Sequence, residues 1–198
     1  MSNPQSLDSI GPMQAPNEPK KEEKPKDPVQ AEFEEGKVFL EKNDLAQAAV
    51  AFHNVLLAYE EKDDKPGIAN ACNKLGDVCL VKKEYAQAEK HYKRAWDICV
   101  EADDPMSQIS LNLQFIEVYV GLKDYKKAIN TCLDLMDDYR LNNNPQGTVV
   151  VLERLADIFL ESGDKDGAKD ALKTAAGIHR NFKHKGIAEE LEKKAEAL

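Results

Sequence analysis

The groups in this chain that could do chemistry are four histidines, four cysteines and 36 acidic residues. Cys72 and Cys79 stand seven apart on one helical face, about 10 Å along the axis at ~1.5 Å per residue. That is too far for a metal site of the usual short-spaced kind. Cys99 and Cys132, like the first two, fall at apolar positions of helical patterns, so all four read as buried, reduced thiols. His53 and His91 each adjoin an aromatic at a core position, Phe52 and Tyr92, which turns the imidazole toward the surface. His179 and His184 lie five apart at a helix junction, with no cysteine or paired acid close in sequence, and read as junction residues rather than ligands or bases. No P-loop, GxGxxG, HExxH or GxSxG pattern occurs. A catalytic carboxylate pair needs a deep pocket to separate its pKa values, which an elongated helical array lacks. The expectation is no enzyme, no cofactor and no metal.

The elements that carry these residues are helices in a fixed repeat. Gly36, Gly76, Ile116 and Ala156 are successive forty-residue steps, as are Ala48, Ala88, Ala128 and Ala168. Phe39, Cys79, Tyr119 and Phe159 follow the same step, and so do Phe52, Tyr92, Cys132 and Leu172. A period in this range marks a solenoid. Asp27-Pro28, Asp104-Pro105 and Asn144-Pro145 place a capping side chain before a proline at the first helical position. Asp44, Glu84, Asp124 and Asp164 follow short turns and complement the start of a second helix in each unit. The invariant alanine belongs where the two helices of a hairpin come closest, since only a small side chain fits there.

The stretch KLGDVCL followed by EYAQAEKHYKRA, with Leu75, Gly76, Tyr85, Ala88, Tyr92 and Ala95, resembles the tetratricopeptide repeat. Repeat 1 keeps Gly36, Phe39, Ala48 and Phe52 but has Glu35 for the leucine. Repeat 3 keeps Tyr119, Tyr125 and Ala128 but has Ile116 for the glycine, and repeat 4 keeps Leu155, Phe159, Ala168 and Ala175 with Ala156 for the glycine. The usual unit has about 34 residues; here the step is 40, as in a longer-helix variety. The resemblance implies an all-α, right-handed α-solenoid. Four helix-turn-helix units are expected at about 28–64, 65–104, 105–144 and 145–183, and a capping helix at 184–198. In that helix Ile187, Leu191, Ala195 and Leu198 form the apolar stripe, with Glu189, Glu190, Glu192, Lys193 and Lys194 facing away and Gly186 one short of a fifth repeat's register.

Residues 1–27 hold five prolines, the charged run KKEEKPK and few aliphatics, so this tail is expected to be disordered. No run approaches the ~18 apolar residues of a membrane span. The start MSNPQSLDSIGPM has neither the basic opening nor the apolar stretch of a secretory signal, and with Ser2 where myristoylation needs a glycine, neither is expected. A net charge of −9 repels nucleic-acid phosphates and anionic membranes. A cytoplasmic location is expected.

In the family resembled, first helices line the concave side. The inward trios are then Phe33-Lys37-Glu41, Asn73-Asp77-Val81, Leu113-Glu117-Gly121 and Glu153-Asp157-Glu161. Acids of the last two units, with Asp77, form a column, and Leu40, Leu80, Val120 and Leu160 run beside it. The leucine line either packs helix on helix or meets a ligand; the acids either pair internally, with Arg154 for example, or attract a basic segment. The family's carboxylate clamp would need Lys and Asn where Phe33 and Lys37 stand, and basic residues at Leu113 and Glu117, so an acidic tail is not the expected ligand. The reading is a scaffold that binds another protein or peptide through Phe33, Lys37, Asn73, Asp77, Leu80, Leu113, Glu117, Glu153, Asp157 and Glu161. Its ligand would carry apolar anchors and basic residues, with no nucleic acid and no membrane insertion. A secretion-type chaperone and a self-associating structural subunit are the alternatives.

Overall fold

The computed structural model describes residues 27–198. The tail expected over 1–27 lies, Asp27 apart, outside the described residues. Among these there are nine helices and no strand: α1 Pro28–Glu41, α2 Leu45–Glu61, α3 Lys65–Val81, α4 Tyr85–Glu101, α5 Pro105–Gly121, α6 Tyr125–Leu141, α7 Pro145–Ser162, α8 Lys165–Asn181 and α9 Lys185–Glu196. Each packs chiefly on its chain neighbours, which makes an all-α solenoid. No helix among the described residues is long and apolar enough to cross a membrane.

The side chains repeat every forty residues, but the backbone repeats every twenty. Helix starts at Leu45, Lys65, Tyr85 and so on to Lys185 are evenly spaced. Every turn has the same build, with one left-handed residue: Asn43, Asp63, Lys83, Asp103, Lys123, Asn143, Gly163 and Lys183. Seven of these are not glycine, and each pays steric strain for that conformation. Two backbone bonds close each turn and offset it; in the first, Asn43 N–H donates to Leu40 O at 2.9 Å and Asp44 N–H to Phe39 O at 2.8 Å. The next residue caps the following helix. Asp44, Asp64, Asp104, Asp124, Asn144 and Asp164 each accept from the backbone N–H three residues on. Glu84 makes no such bond and pairs with Lys82 instead. Turns within a hairpin and between hairpins are therefore alike.

The interior explains why the repeat tolerates departures from its motif. Ala48, Ala88, Ala128 and Ala168 are all fully buried. Beside them, the first-helix position opposes a second-helix position sixteen residues on, and their sizes trade. A methyl added to Gly76 would lie 2.4 Å from the Tyr92 ring, and one added to Gly36 would lie 2.8 Å from Phe52. In the third unit the aromatic becomes Cys132, and Ile116 fills the space it gives up, both inside one buried cluster. In the fourth, Ala156 opposes Leu172. The same exchange holds at the junctions between units: Tyr59 covers Gly67 and Tyr139 covers Gly147, whereas Cys99 meets Ser107.

The two ends differ from the interior by acids. Glu32 and Glu35 occupy the face where later units bury Cys72, Leu75, Phe115, Leu152 and Leu155. At the other end α9 begins forty residues after α7, so it is in register with a fifth unit, and Gly186 corresponds to Gln146 rather than to Gly147. Glu189, Glu192 and Glu196 then stand where α7 buries Val149, Leu152 and Ala156. This register also corrects the expected stripe. Ala188, Leu191 and Ala195 are buried against α8 while Ile187 is exposed. Glu192 does not face away but pairs with Arg180, and Lys194 reaches back to Asp157.

Gly76→Ala is expected to destabilise by about 1–3 kcal/mol through overpacking on Tyr92. Gly177→Ala, in open space within α8, is expected to stabilise by about 0.5–1 kcal/mol by removing backbone freedom. Urea unfolding of the two variants checks both signs.

Candidate functional site

Helices α1, α3 and α5 approach one another, α1 to α3 and α3 to α5, more closely than the even-numbered helices do, and ion pairs link α5 to α7 and α7 to α9. The expected trios all lie on these odd-numbered helices. Of the two roles left open for the leucine line and the acids, the contacts made are internal ones. Phe33 packs edge-on against Phe52 at 5.6 Å under the Lys37 ammonium, and Leu40, Leu80, Val120 and Leu160 pack against the buried clusters. These apolar groups join one helix to the next.

The acids are likewise engaged. Arg154 of α7 donates to both carboxylate oxygens of Glu117 on α5, at 2.7 and 2.8 Å, and lies 3.5 Å from Glu161. The fork geometry matches a carboxylate and makes this the strongest pair of the face. Lys194 lies 3.5 Å from Asp157, the same thirty-seven-residue step, so the contact repeats one unit later. Asp77, whose in-step position is the neutral Gln114, is held by Lys74 at 2.6 Å and accepts from the Tyr92 hydroxyl at 2.8 Å. Glu153 stands 3.9 Å from His179 Nε2. Asn73 has a side-chain oxygen that is buried without a partner, next to a cavity of about 50 Å³ between α3, α4 and α5. On this face ion pairs tie the third unit to the fourth and the fourth to α9, while Asp77 is held within its own unit.

The large apolar side chains exposed on α3, α5 and α7 are Val81, Met106, Leu113 and Val150, by 51%, 73%, 36% and 63%. Met106 and Val150 escape sequence reading because nothing in their spacing separates an outward turn-start residue from a core one. The helical stripes Met106-Leu113-Glu117 and Val150-Arg154-Asp157 show the signal after the register is known.

No cluster of three or more His, Cys, Asp or Glu residues suited to a metal ion occurs among the described residues. Burial raises all four thiols, Cys132 up to about 12, which keeps them protonated and unreactive. Burial lowers the His91 imidazole, with Arg94 adding to the effect. Burial, then Asp77, raises the Tyr92 phenol.

No family model matches the sequence, and no curated protein matches it. Solved structures do. BtubC (BKLC) from P. vanneervenii matches at a TM-score of 0.65 and 15% identity, covering 85% of this chain and 76% of that one. RapI in its apo form gives a TM-score of 0.72 at 16% identity, covering 85% of this chain and 63% of RapI. The TPR-like repeats of a kinesin light chain protein from Podosopora anserina match at 0.51 and 12%, covering 85% and 93%. The likeness is one of fold: the chain is a helical array of tetratricopeptide-like repeats.

Two measurements test this chemistry. A double-mutant cycle on Glu117 and Arg154 is expected to give a coupling of about 1 kcal/mol, against nearly zero for the exposed Lys65–Glu101 pair. Cys132 is bound more tightly to its proton when folded, so its stabilisation is complete below the unfolded value near 9 and is lost as pH climbs toward about 12. Thermal midpoints between pH 9 and 12 are therefore expected to fall less in Cys132→Ala than in the unaltered chain.

Proposed function

We propose that this chain is a non-enzymatic scaffold that holds a segment of a partner protein along its odd-helix face. The observation that carries this reading is the row of free apolar side chains, Val81, Met106, Leu113 and Val150, set on a face whose charges are already fixed by internal pairing. A concave helical array offers such a face as an extended binding surface, and charges locked in pairs lose little further freedom when a ligand arrives.

Apolar side chains of the partner supply most of the affinity in this reading. Basic residues of the partner compete with Arg154, Lys194 and Lys74 for the carboxylates, so electrostatics sets approach and direction more than strength. Two or three apolar anchors, spaced to meet α3, α5 and α7, describe the segment that fits.

A photo-crosslinking residue at Val150 is expected to yield a discrete adduct in the native lysate, whereas one at Leu133 on the outer face yields none. Met106→Asp combined with Val150→Asp removes the partner without moving the unfolding midpoint. Equal labelling from both positions, or full retention of the partner by the double variant, contradicts the proposal.

A further inference from the structure

The junction between α8 and α9 departs from every other junction between hairpins. Elsewhere the capping position carries Asp64, Asp104 or Asn144, and each side chain accepts from a backbone N–H of the next helix. Here it carries His184, which makes no capping bond. Its ring turns instead to His179, which replaces the tyrosine of the first and third junctions, Tyr59 and Tyr139. The two Nδ1 atoms face each other at 3.3 Å. On the far edge of the His179 ring, Nε2 is 3.9 Å from the Glu153 carboxylate.

We propose that His179 and His184 form a binding site for a transition-metal dication that joins the terminal helix to the last hairpin. Two imidazole nitrogens bound to zinc at ~2.0–2.1 Å in tetrahedral geometry lie roughly 3.3 Å apart, which is the separation found. The Glu153 carboxylate stands 3.9 Å from Nε2, on the ring edge away from His184, the side on which second-shell acids stand beside metal-bound histidines. Imidazole pairs suit zinc, copper or nickel rather than magnesium or calcium. Two protein ligands are in reach, and water completes the shell. The His179 side chain is mostly covered while His184 is exposed, so an ion enters from solvent. Arg180, Lys183 and Lys185 flank the junction in sequence, which sets the affinity below that of an enclosed four-ligand site.

Zinc titrated into the full chain by calorimetry tests this. One ion per chain is expected, with a thermal midpoint that rises with zinc and a response that weakens on acidification as protons compete for the rings. His184→Asn restores the cap used at Asn144, so the variant folds, and its zinc affinity is expected to fall at least tenfold. His53→Asn, at an exposed histidine elsewhere, leaves the affinity unchanged. Absence of zinc binding by the unaltered chain, or equal binding by His184→Asn, overturns the proposal; in the second case the zinc sits on a thiol or another histidine.

Discussion

The closest approach of two helices within each hairpin is the constraint on which the rest of this molecule depends. At Ala48, Ala88, Ala128 and Ala168 no side-chain surface is left exposed, so the helix separation is set by an alanine and its neighbours must fill a constant space. Gly36 with Phe52, Gly76 with Tyr92, Ile116 with Cys132 and Ala156 with Leu172 are four ways to fill it. Interiors packed to crystal-like density do not tolerate a spare or missing methylene cheaply. Because the separation stays constant, every turn can keep one geometry, and every odd helix arrives at the same side with the same rotation. The inner stripe of Met106, Leu113 and Val150 is a consequence of that uniformity.

Ion pairs add direction to this interior rather than strength. Half-exposed pairs contribute on the order of 1 kcal/mol or less, whereas burying a single Leu or Phe contributes about 1.5–3 kcal/mol. The repeated step from Glu117 to Arg154 and from Asp157 to Lys194 ties α5 to α7 and α7 to α9. Among the described residues, Glu32 and Glu35 at one end and Glu189 and Glu196 at the other put acids where inner units bury apolar side chains.

Much of the fold was legible in the sequence because identical steps must occupy identical places. The forty-residue step, the buried alanines and the second-helix caps at Asp44, Asp124 and Asp164 could be read directly, while Glu84 pairs with Lys82 instead of capping. The twenty-residue backbone rhythm was hidden, since Lys83, Lys123 and Lys183 are poor advertisements for a left-handed turn. Ile116 looked like a broken motif because its compensation, Cys132, lies on the opposing helix. The site was less legible than the fold. Whether Leu80 packs or meets a ligand, and whether the acids pair with Arg154, stayed open in the sequence, because the contact of Glu117 with a residue thirty-seven positions away forms only once α5 and α7 are adjacent. The acid beside His179 was missed for the same reason.

The central claim is that the opposed pair in each hairpin has a fixed total size, so the pair of one unit can replace that of another. Ile116→Gly, Cys132→Tyr and their combination transplant the second unit's pair into the third, and urea unfolding of the three variants measures their coupling. The account predicts that each single change destabilises, by a cavity of about 2–5 kcal/mol and by overpacking of about 1–3 kcal/mol, while the combination recovers at least half of the summed loss. Additive losses in the double variant would contradict it.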